Sequence, residues 1–398
     1  MSKTGIVSNG FIGKSTITSV NFGSSCTYVG QGAFKDCTSL EKINENNVIE
    51  TIEGGAFAGT NLYSVKFNNL KTISNILSRT LCGAFEKCPN LTYVDIKNCT
   101  QIPSGTFVNC NALSEINAIN CISVGNFTFS GCQNLNIVDI KSCNYIGSYA
   151  FKNCINLTNV NVNSTNIVIE DSAFMNCYTL NNFNFKNCRI IGSNAFRNCT
   201  SIENVNLDTC QNIGKSAFYN CKKLKQITLS NKLTYGGIQD QAFINCENLS
   251  RVYINTNLST VIPLGSSVFY TNSVINSNIR FYLRNDIYSN YFNHANWSEY
   301  KDYMFRLAGK QEIIYTTDDG KKIDIEDTET MKIKEYNNGC GIIKFTSPIN
   351  ELEEIFSEKT KLTSVILPEE CESIVDYSFK GCTNLEEFTP SPSNTLKK

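Results

Sequence analysis

The stretch Phe85-Glu86-Lys87-Cys88-Pro89-Asn90-Leu91-Thr92-Tyr93-Val94-Asp95-Ile96-Lys97-Asn98-Cys99 holds two cysteines eleven residues apart. The spacing continues outward from it. Cysteine recurs at 110, 121, 132, 143 and 154 and, after one lapse, at 177, 188, 199, 210 and 221. The surroundings of alternate cysteines differ, so the true period is twice eleven. One set follows Ala-Phe, as in Ala150-Phe151-Lys152-Asn153-Cys154, and the other closes a Leu-x-x-Val-x-Ile-x-x-Cys string such as Leu91 to Cys99. Self-similarity at a fixed period of this length marks a stack of identical supersecondary units.

The second string is the leucine-rich-repeat signature, with cysteine at its Asn-or-Cys position. The expected fold is therefore an α/β leucine-rich-repeat solenoid, mostly β, of ~22–23-residue coils that join short parallel strands to short helical turns. In the lapsed coil, Leu157-x-x-Val160-x-Val162 is followed by one extra residue within Asn163 to Asn166. Counting forward selects Thr165 for the ladder position and counting back selects Asn166; asparagine, the other residue the signature accepts, favours Asn166. Cys99, Cys121, Cys143, Asn166 (or Thr165), Cys188 and Cys210 are expected to form one internal ladder, satisfying backbone groups where the chain leaves the strand.

A phenylalanine column runs through 11, 34, 57, 85, 107, 129, 151, 174, 196, 218, 243 and 269, with longer steps marking loops near Ser74 to Thr80, Leu233 to Gly237 and Leu258 to Gly265. Within a coil, Leu224-x-x-Ile227-x-Leu229 alternates as a half-buried strand, and Gly214 to Cys221 reads as a turn entering a helical turn. The repeat stops after Phe269. Ile279 to Leu283 is strand-like, and the aromatic spacing from Asp286 to Tyr300 suits a helix that caps the rod. Two hairpins are expected next: Ile313–Tyr315 with Lys322–Ile325 across Asp318-Asp319-Gly320, and Met331–Tyr336 with Cys340–Phe345 across Asn337-Asn338-Gly339. The repeat then resumes at Phe356 and Phe379. The expected organisation is a solenoid over residues 1–277, a strand-helix cap over 278–309, a β-hairpin segment over 310–346 and a short second repeat segment over 347–398.

Composition excludes several function classes. A net charge of −1 and 18% charged residues supply neither the basic field that nucleic acid requires nor a polybasic membrane segment. No stretch approaches the eighteen or more apolar residues of a membrane-spanning helix, and Met1 to Phe11 lacks the apolar run of a secretory leader. No nucleic acid or membrane insertion is expected. Localisation stays open between cell surface, cytoplasm and virion. Of the nineteen cysteines, ten follow a repeat phenylalanine by three residues and five occupy the ladder, a packing pattern rather than a ligand set. Neighbouring ladder cysteines one strand spacing apart, about 4.8 Å, with parallel Cβ vectors suit disulfides poorly. Buried free thiols are expected, over disulfides or metal, and no cofactor.

Gly32-Ala33-Phe34-Lys35-Asp36-Cys37-Thr38-Ser39-Leu40 and Tyr377-Ser378-Phe379-Lys380-Gly381-Cys382-Thr383-Asn384-Leu385 resemble the BspA-like, Treponema-type leucine-rich repeats. The resemblance spans nearly the whole chain, and the interruption, from Asn296-Trp297-Ser298 through Tyr336 to Ile343, is similar to family members too. It implies bacterial surface adhesins and interaction scaffolds without enzyme activity. Cysteine replaces the proline that often follows the strand in such repeats, with Pro368 the clearest survivor.

Catalysis is not expected. His294 is the only histidine, and Asp318-Asp319, Glu353-Glu354 and Glu369-Glu370 fall where solvated charge is the default. No Gly-Lys-Ser/Thr follows a strand at phosphate-loop spacing. What remains is the concave face, where one outward column runs Tyr93, Glu115, Ile137, Asn159, Asn182, Asn204, Gln226, Arg251 and the next Asp95, Asn117, Asp139, Asn161, Asn184, Asn206, Thr228, Tyr253. Its asparagines can stabilise one another as an amide ladder. Alternatively a partner docks there, with Tyr93, Arg251 and Tyr253 as hot-spot residue types. The expected function is non-catalytic recognition of a protein, as adhesin or scaffold; the alternatives are a structural assembly component, for example of a phage particle, and carbohydrate binding on the polar face. The first and last coils lack evident covers, so self-association or partner packing through the chain ends is expected.

Overall fold

The computed structural model describes residues 4–44, 48–74, 82–234, 236–256, 261–307, 312–325, 331–337, 340–349, 351–368 and 371–389. The loop expected near Ser74 to Thr80 and the Asn338-Gly339 turn therefore lie largely outside the described residues. The chain forms two compact units, Met1–Val252 with Ile262–Ile279, and Tyr253–Val261 with Arg280–Lys398.

The first unit is a parallel β-solenoid of stacked coils. Leu-x-x-Val alternation makes one short strand per coil, with leucine and valine inward and the flanking residues outward. Ser64–Lys66, Tyr93–Asp95, Glu115–Asn117, Ile137–Asp139, Asn159–Asn161 and Asn182–Phe183 pair in register as one six-stranded parallel sheet. A second six-stranded sheet joins Gln101–Ile102, Ser123–Val124, Tyr145–Ile146, Ile167–Ile169, Cys188–Ile191 and Asn212–Ile213. Each coil thus buries its apolar residues only against the coils above and below.

The phenylalanine column is continuous. From Phe11 to Phe269 successive rings stack nearly parallel, with centroids 5.0 to 5.5 Å apart. Alanine precedes the ring in most coils and is buried, which lets the next coil approach. Two residues past the ring the backbone turns left-handed, with φ of 58° to 65° at Asn109, Asn153, Asn176, Asn198, Asn220 and Asn245 and glycine at 59 and 131. Asparagine and glycine tolerate that region best, which explains the residue before most of these cysteines; Asp36 and Lys87 hold the same conformation before Cys37 and Cys88.

This turn, not the strand face, carries the amide ladder. Asn176 Nδ2 donates to Asn153 Oδ1 at 2.8 Å, Asn198 to Asn176 at 2.8 Å and Asn220 to Asn198 at 2.9 Å. On the strand face, Asn184 and Asn206 accept from backbone N–H groups two residues on. No amide–amide bond links the outward columns there among the described residues, so the expected strand-face ladder is corrected to this position.

The cysteine ladder also needs one correction. The register aligns Ile167, not Asn166 or Thr165, with Cys188, and Ile167 is fully buried whereas Thr165 and Asn166 are exposed. The extra residue of this coil is absorbed by Asn166 in a left-handed turn, φ 57°, beside a register shift between Ile167 and Val168. An inserted residue flips the following side chain to the other face. Isoleucine is thereby turned inward.

In the second unit, Arg280–Arg284 pairs in parallel with Met304–Leu307. Helix Asn285–Phe292 and the 3₁₀ segment Ala295–Tyr303 contribute Tyr291, Trp297 and Tyr300 to a fully buried cluster. A five-stranded sheet follows, in the order Met331–Asn337, Cys340–Phe345, Glu312–Thr317, Leu362–Ile366, Glu387–Thr389. The hairpin of Met331–Tyr336 with Cys340–Phe345 is present. The other expected hairpin is not. Glu312–Thr317 pairs antiparallel with Cys340–Phe345 on one edge and Leu362–Ile366 on the other, leaving no edge for Lys322–Ile325. Ile323 and Ile325 instead pack into the core without strand pairing. One sheet thus spans both sides of residue 346, and Phe356 and Phe379 stack at 5.8 Å as in the solenoid.

Candidate protein-interaction face

The strand face of the first unit is set by register. Tyr93, Glu115, Ile137, Asn159 and Asn182 align in one outward row, and Asp95, Asn117, Asp139 and Asn161 in the next. At about 4.8 Å per strand, neighbouring side chains within a row are in reach of one another.

The part nearest Tyr93 is rich in acceptors. Asp95 is 6% exposed and takes the Lys97 N–H at 3.2 Å. Asp139 sits 3.6 Å from the Lys141 ammonium, a pair open enough to solvent to contribute little. Asn117 Oδ1 and Asp139 Oδ1, on adjacent strands, are both buried and have no hydrogen-bond partner among the described residues. A buried acceptor ordinarily has a donor, and these two lie just beneath the outward row, with the Asn117 side chain also hydrogen-bonded to the Tyr93 hydroxyl. Burial first, and then the Asp95 and Glu115 carboxylates, raise the Tyr93 hydroxyl above its ordinary range. Tyr93 is half-buried, while Ile137, two strands along the same row beyond Glu115, is exposed.

The three hot-spot candidates are not brought together. Arg251 is exposed, but its strand, Arg251–Asn255, belongs to a different sheet from Tyr93. Tyr253 is corrected from surface to core. It is 7% exposed and stacks on Tyr282 with centroids 5.1 Å apart. The alternation of its strand places it outward as expected, and a ring from the next strand-forming segment covers it.

A stacked aromatic pair, the exposed Phe127 and the half-buried Tyr149, was missed from the sequence. Phe127 and Tyr149 occupy the position two before the repeat phenylalanine, where Gly32, Gly55, Gly83 and Gly105 stand in earlier coils. They hold left-handed backbone, φ 58° and 60°, and stack at 4.8 Å with planes 9° apart. A bulky residue at a glycine position was the available signal. The single histidine, His294, caps its 3₁₀ segment, Nδ1 accepting the Asn296 N–H at 3.3 Å.

A solenoid with one regular strand face and packed interior columns defines a repeat protein of the leucine-rich class. The family model described as BspA type leucine rich repeat region (6 copies) matches residues 2–80, 78–203, 167–299 and 314–397. The chain belongs to the BspA-type leucine-rich-repeat family. Among solved structures it is similar to a leucine-rich repeat protein from Bacteroides ovatus, 20% identical, over 70% of this chain and 86% of that one, with a TM-score of 0.38. It is also similar to a leucine rich cell surface protein from Faecalibacterium prausnitzii, 19% identical over 64% and 83%, TM-score 0.32. A third is the leucine rich repeat protein of T. pallidum, 19% identical over 47% and 76%, TM-score 0.31. No curated protein matches the chain.

Proposed function

We propose that the chain is a non-catalytic recognition scaffold or adhesin whose protein partner docks on the strand face over residues 93 to 139. The observation that carries this is the in-register alignment of the exposed Glu115 carboxylate and the partly exposed Asp139 with the apolar surface of Tyr93 and Ile137 on three adjacent strands, over a floor in which Asn117 Oδ1 and Asp139 Oδ1 have no donor among the described residues. Such a surface suits a partner segment that brings N–H donors and positive charge, and truncating a buried acceptor pair costs binding strongly. Family membership supports a scaffold role. The single histidine, His294, has its Nδ1 engaged in capping a 3₁₀ segment.

Peptide-display selection on the full chain tests this. Enriched peptides are expected to carry Lys or Arg and to lose about tenfold in affinity against an Asn117→Ala, Asp139→Ala double variant, while keeping affinity for Asn198→Ala on the turn side. Peptides that bind both variants and the parent equally would place recognition elsewhere.

A further inference from the structure

The aromatic pair Phe127–Tyr149 leaves one ring face uncovered. In this column the next position toward the start of the chain is Gly105, in left-handed backbone, φ +73°. A Cβ built there meets nothing closer than Val108 Cγ2 at 3.8 Å, so the space over Gly105 is open. One coil further lies Gly83, pressed so closely on the Gly105 carbonyl that no side chain fits at 83. The Glu86 carboxylate bends back onto this glycine, Oε2 accepting the Gly83 N–H at 3.2 Å. Two coil spacings, about 9.6 Å, therefore separate the level of the Phe127 ring from that of a carboxylate, with a side-chain-free berth between them.

The π-face of an aromatic ring attracts cations, and a planar guanidinium stacks on it better than an ammonium. The chain uses this chemistry itself. Lys152 lies 5.2 Å from the Tyr149 ring, Arg197 4.1 Å from Tyr219 and Lys380 5.6 Å from Tyr377. Phe127 is 45% exposed and has no such cation of its own among the described residues. Glu86 also pairs with Lys87 at 3.5 Å, a contact open to solvent on the lysine side and weak enough to share its carboxylate.

We propose that the berth over Gly105 receives an arginine side chain of a protein partner, stacked on Phe127 and facing the Glu86 carboxylate. This surface is separate from the strand face, so the two can fail independently.

The test is a titration of full-length protein, with phenylalanine ring signals followed by NMR. The probe is the capped tripeptide acetyl-Gly-Arg-Gly-amide, and the same peptide with neutral citrulline is the control. Comparison with Phe127→Ser assigns the Phe127 signals; serine already stands in this column at 172 and 216, so the variant keeps the coil. The arginine peptide is expected to shift the Phe127 signals saturably at millimolar concentration, about tenfold more tightly than citrulline, and Glu86→Gln to weaken it severalfold. Absence of a saturable shift, equal binding of citrulline, or indifference to Glu86→Gln would overturn the proposal. A shift of the same signals by methyl glucoside, unchanged in Glu86→Gln, would mean a glycan platform and overturn it too.

Discussion

The two cysteine columns use one side chain for two purposes. In the column that follows the phenylalanines, each thiol donates to the phenylalanine carbonyl of the preceding coil: Cys110 to Phe85 at 2.9 Å, Cys132 to Phe107 at 3.0 Å, Cys154 to Phe129 at 3.1 Å, and likewise through Cys246. Each such carbonyl already accepts an N–H from its own coil, as Phe129 does from Cys132, so both lone pairs are filled and the S–H ties one coil to the next. At 60 this column has threonine, whose hydroxyl bonds the Phe57 carbonyl of its own coil and the Cys88 thiol of the next. In the ladder that follows the strands, Cys121, Cys143 and Cys210 reach a carbonyl two residues on in their own coil, whereas Cys99 reaches the Leu70 carbonyl one coil back at 3.4 Å and Cys188 makes only a long contact, 3.9 Å, to Asn184. There the register puts Ile49, Leu70 and Ile167 in equivalent places, all fully buried. One column keeps a donor and the other keeps only volume.

The largest expected effect treats both columns alike. Burial pushes Cys99, Cys132, Cys143 and Cys210 up to about 12 and Cys121 to about 11. A folded-state value above the unfolded one, about 8.5, means that stability is fully present below pH 8.5 and is lost as pH rises from there toward 12. Each of these five thiols contributes a loss of roughly 1.4 kcal/mol per pH unit in that window. With several thiols acting together, the denaturant midpoint should fall steeply between pH 8 and 10, and thiolate absorbance should appear only with unfolding. A flat midpoint over that range would mean that water reaches the thiols.

A smaller effect separates the columns. Valine and threonine have nearly the same shape, so their difference at one site isolates the donor. At 154, Thr should be more stable than Val by about 1 kcal/mol, because its hydroxyl supplies a donor where valine supplies none. At 143, Val should equal or exceed Thr. Chemical denaturation of the four variants checks this, and the same sign at both sites would erase the distinction between the columns.

Much of this architecture is legible in the residues. The eleven-residue return of cysteine gives both columns, the Ala-Phe pairs give the ring stack, and the Leu-x-x-Val strings give the strand register. What was misread depended on backbone sign or on distant chain. The amide ladder belongs to Asn153, Asn176, Asn198 and Asn220 because the chain turns left-handed there, and periodicity does not distinguish those asparagines from the strand-face ones. Tyr253 alternates outward correctly, yet Tyr282, 29 residues on, covers it. Lys322–Ile325 looked like a hairpin partner, but Leu362–Ile366 takes that edge from much later in the chain. The acceptor-rich rows around Asp95 and Asp139 were legible as positions, whereas the burial of Asn117 Oδ1 and Asp139 Oδ1 without a donor among the described residues was not.

The smallest effect is at Ile167, where the ladder departs from cysteine. Two forces differ between isoleucine and cysteine at this site. Cysteine would offer the S–H that neighbouring coils carry, but it would remove apolar volume from a fully buried position bounded by Cys143 and Cys188 in adjacent coils. If the ladder keeps only volume, Ile167→Cys loses packing and gains nearly nothing, for a net cost of about 1 kcal/mol, comparable to other modest truncations of buried isoleucine. The bulge at Asn166 is unaffected by the change, since its left-handed turn absorbs the extra residue whichever side chain follows. A precise denaturation comparison with the parent settles the sign. Were Ile167→Cys stabilising, the inward carbonyls after the strand would need their donors after all, and the ladder would be a hydrogen-bonded column like its neighbour.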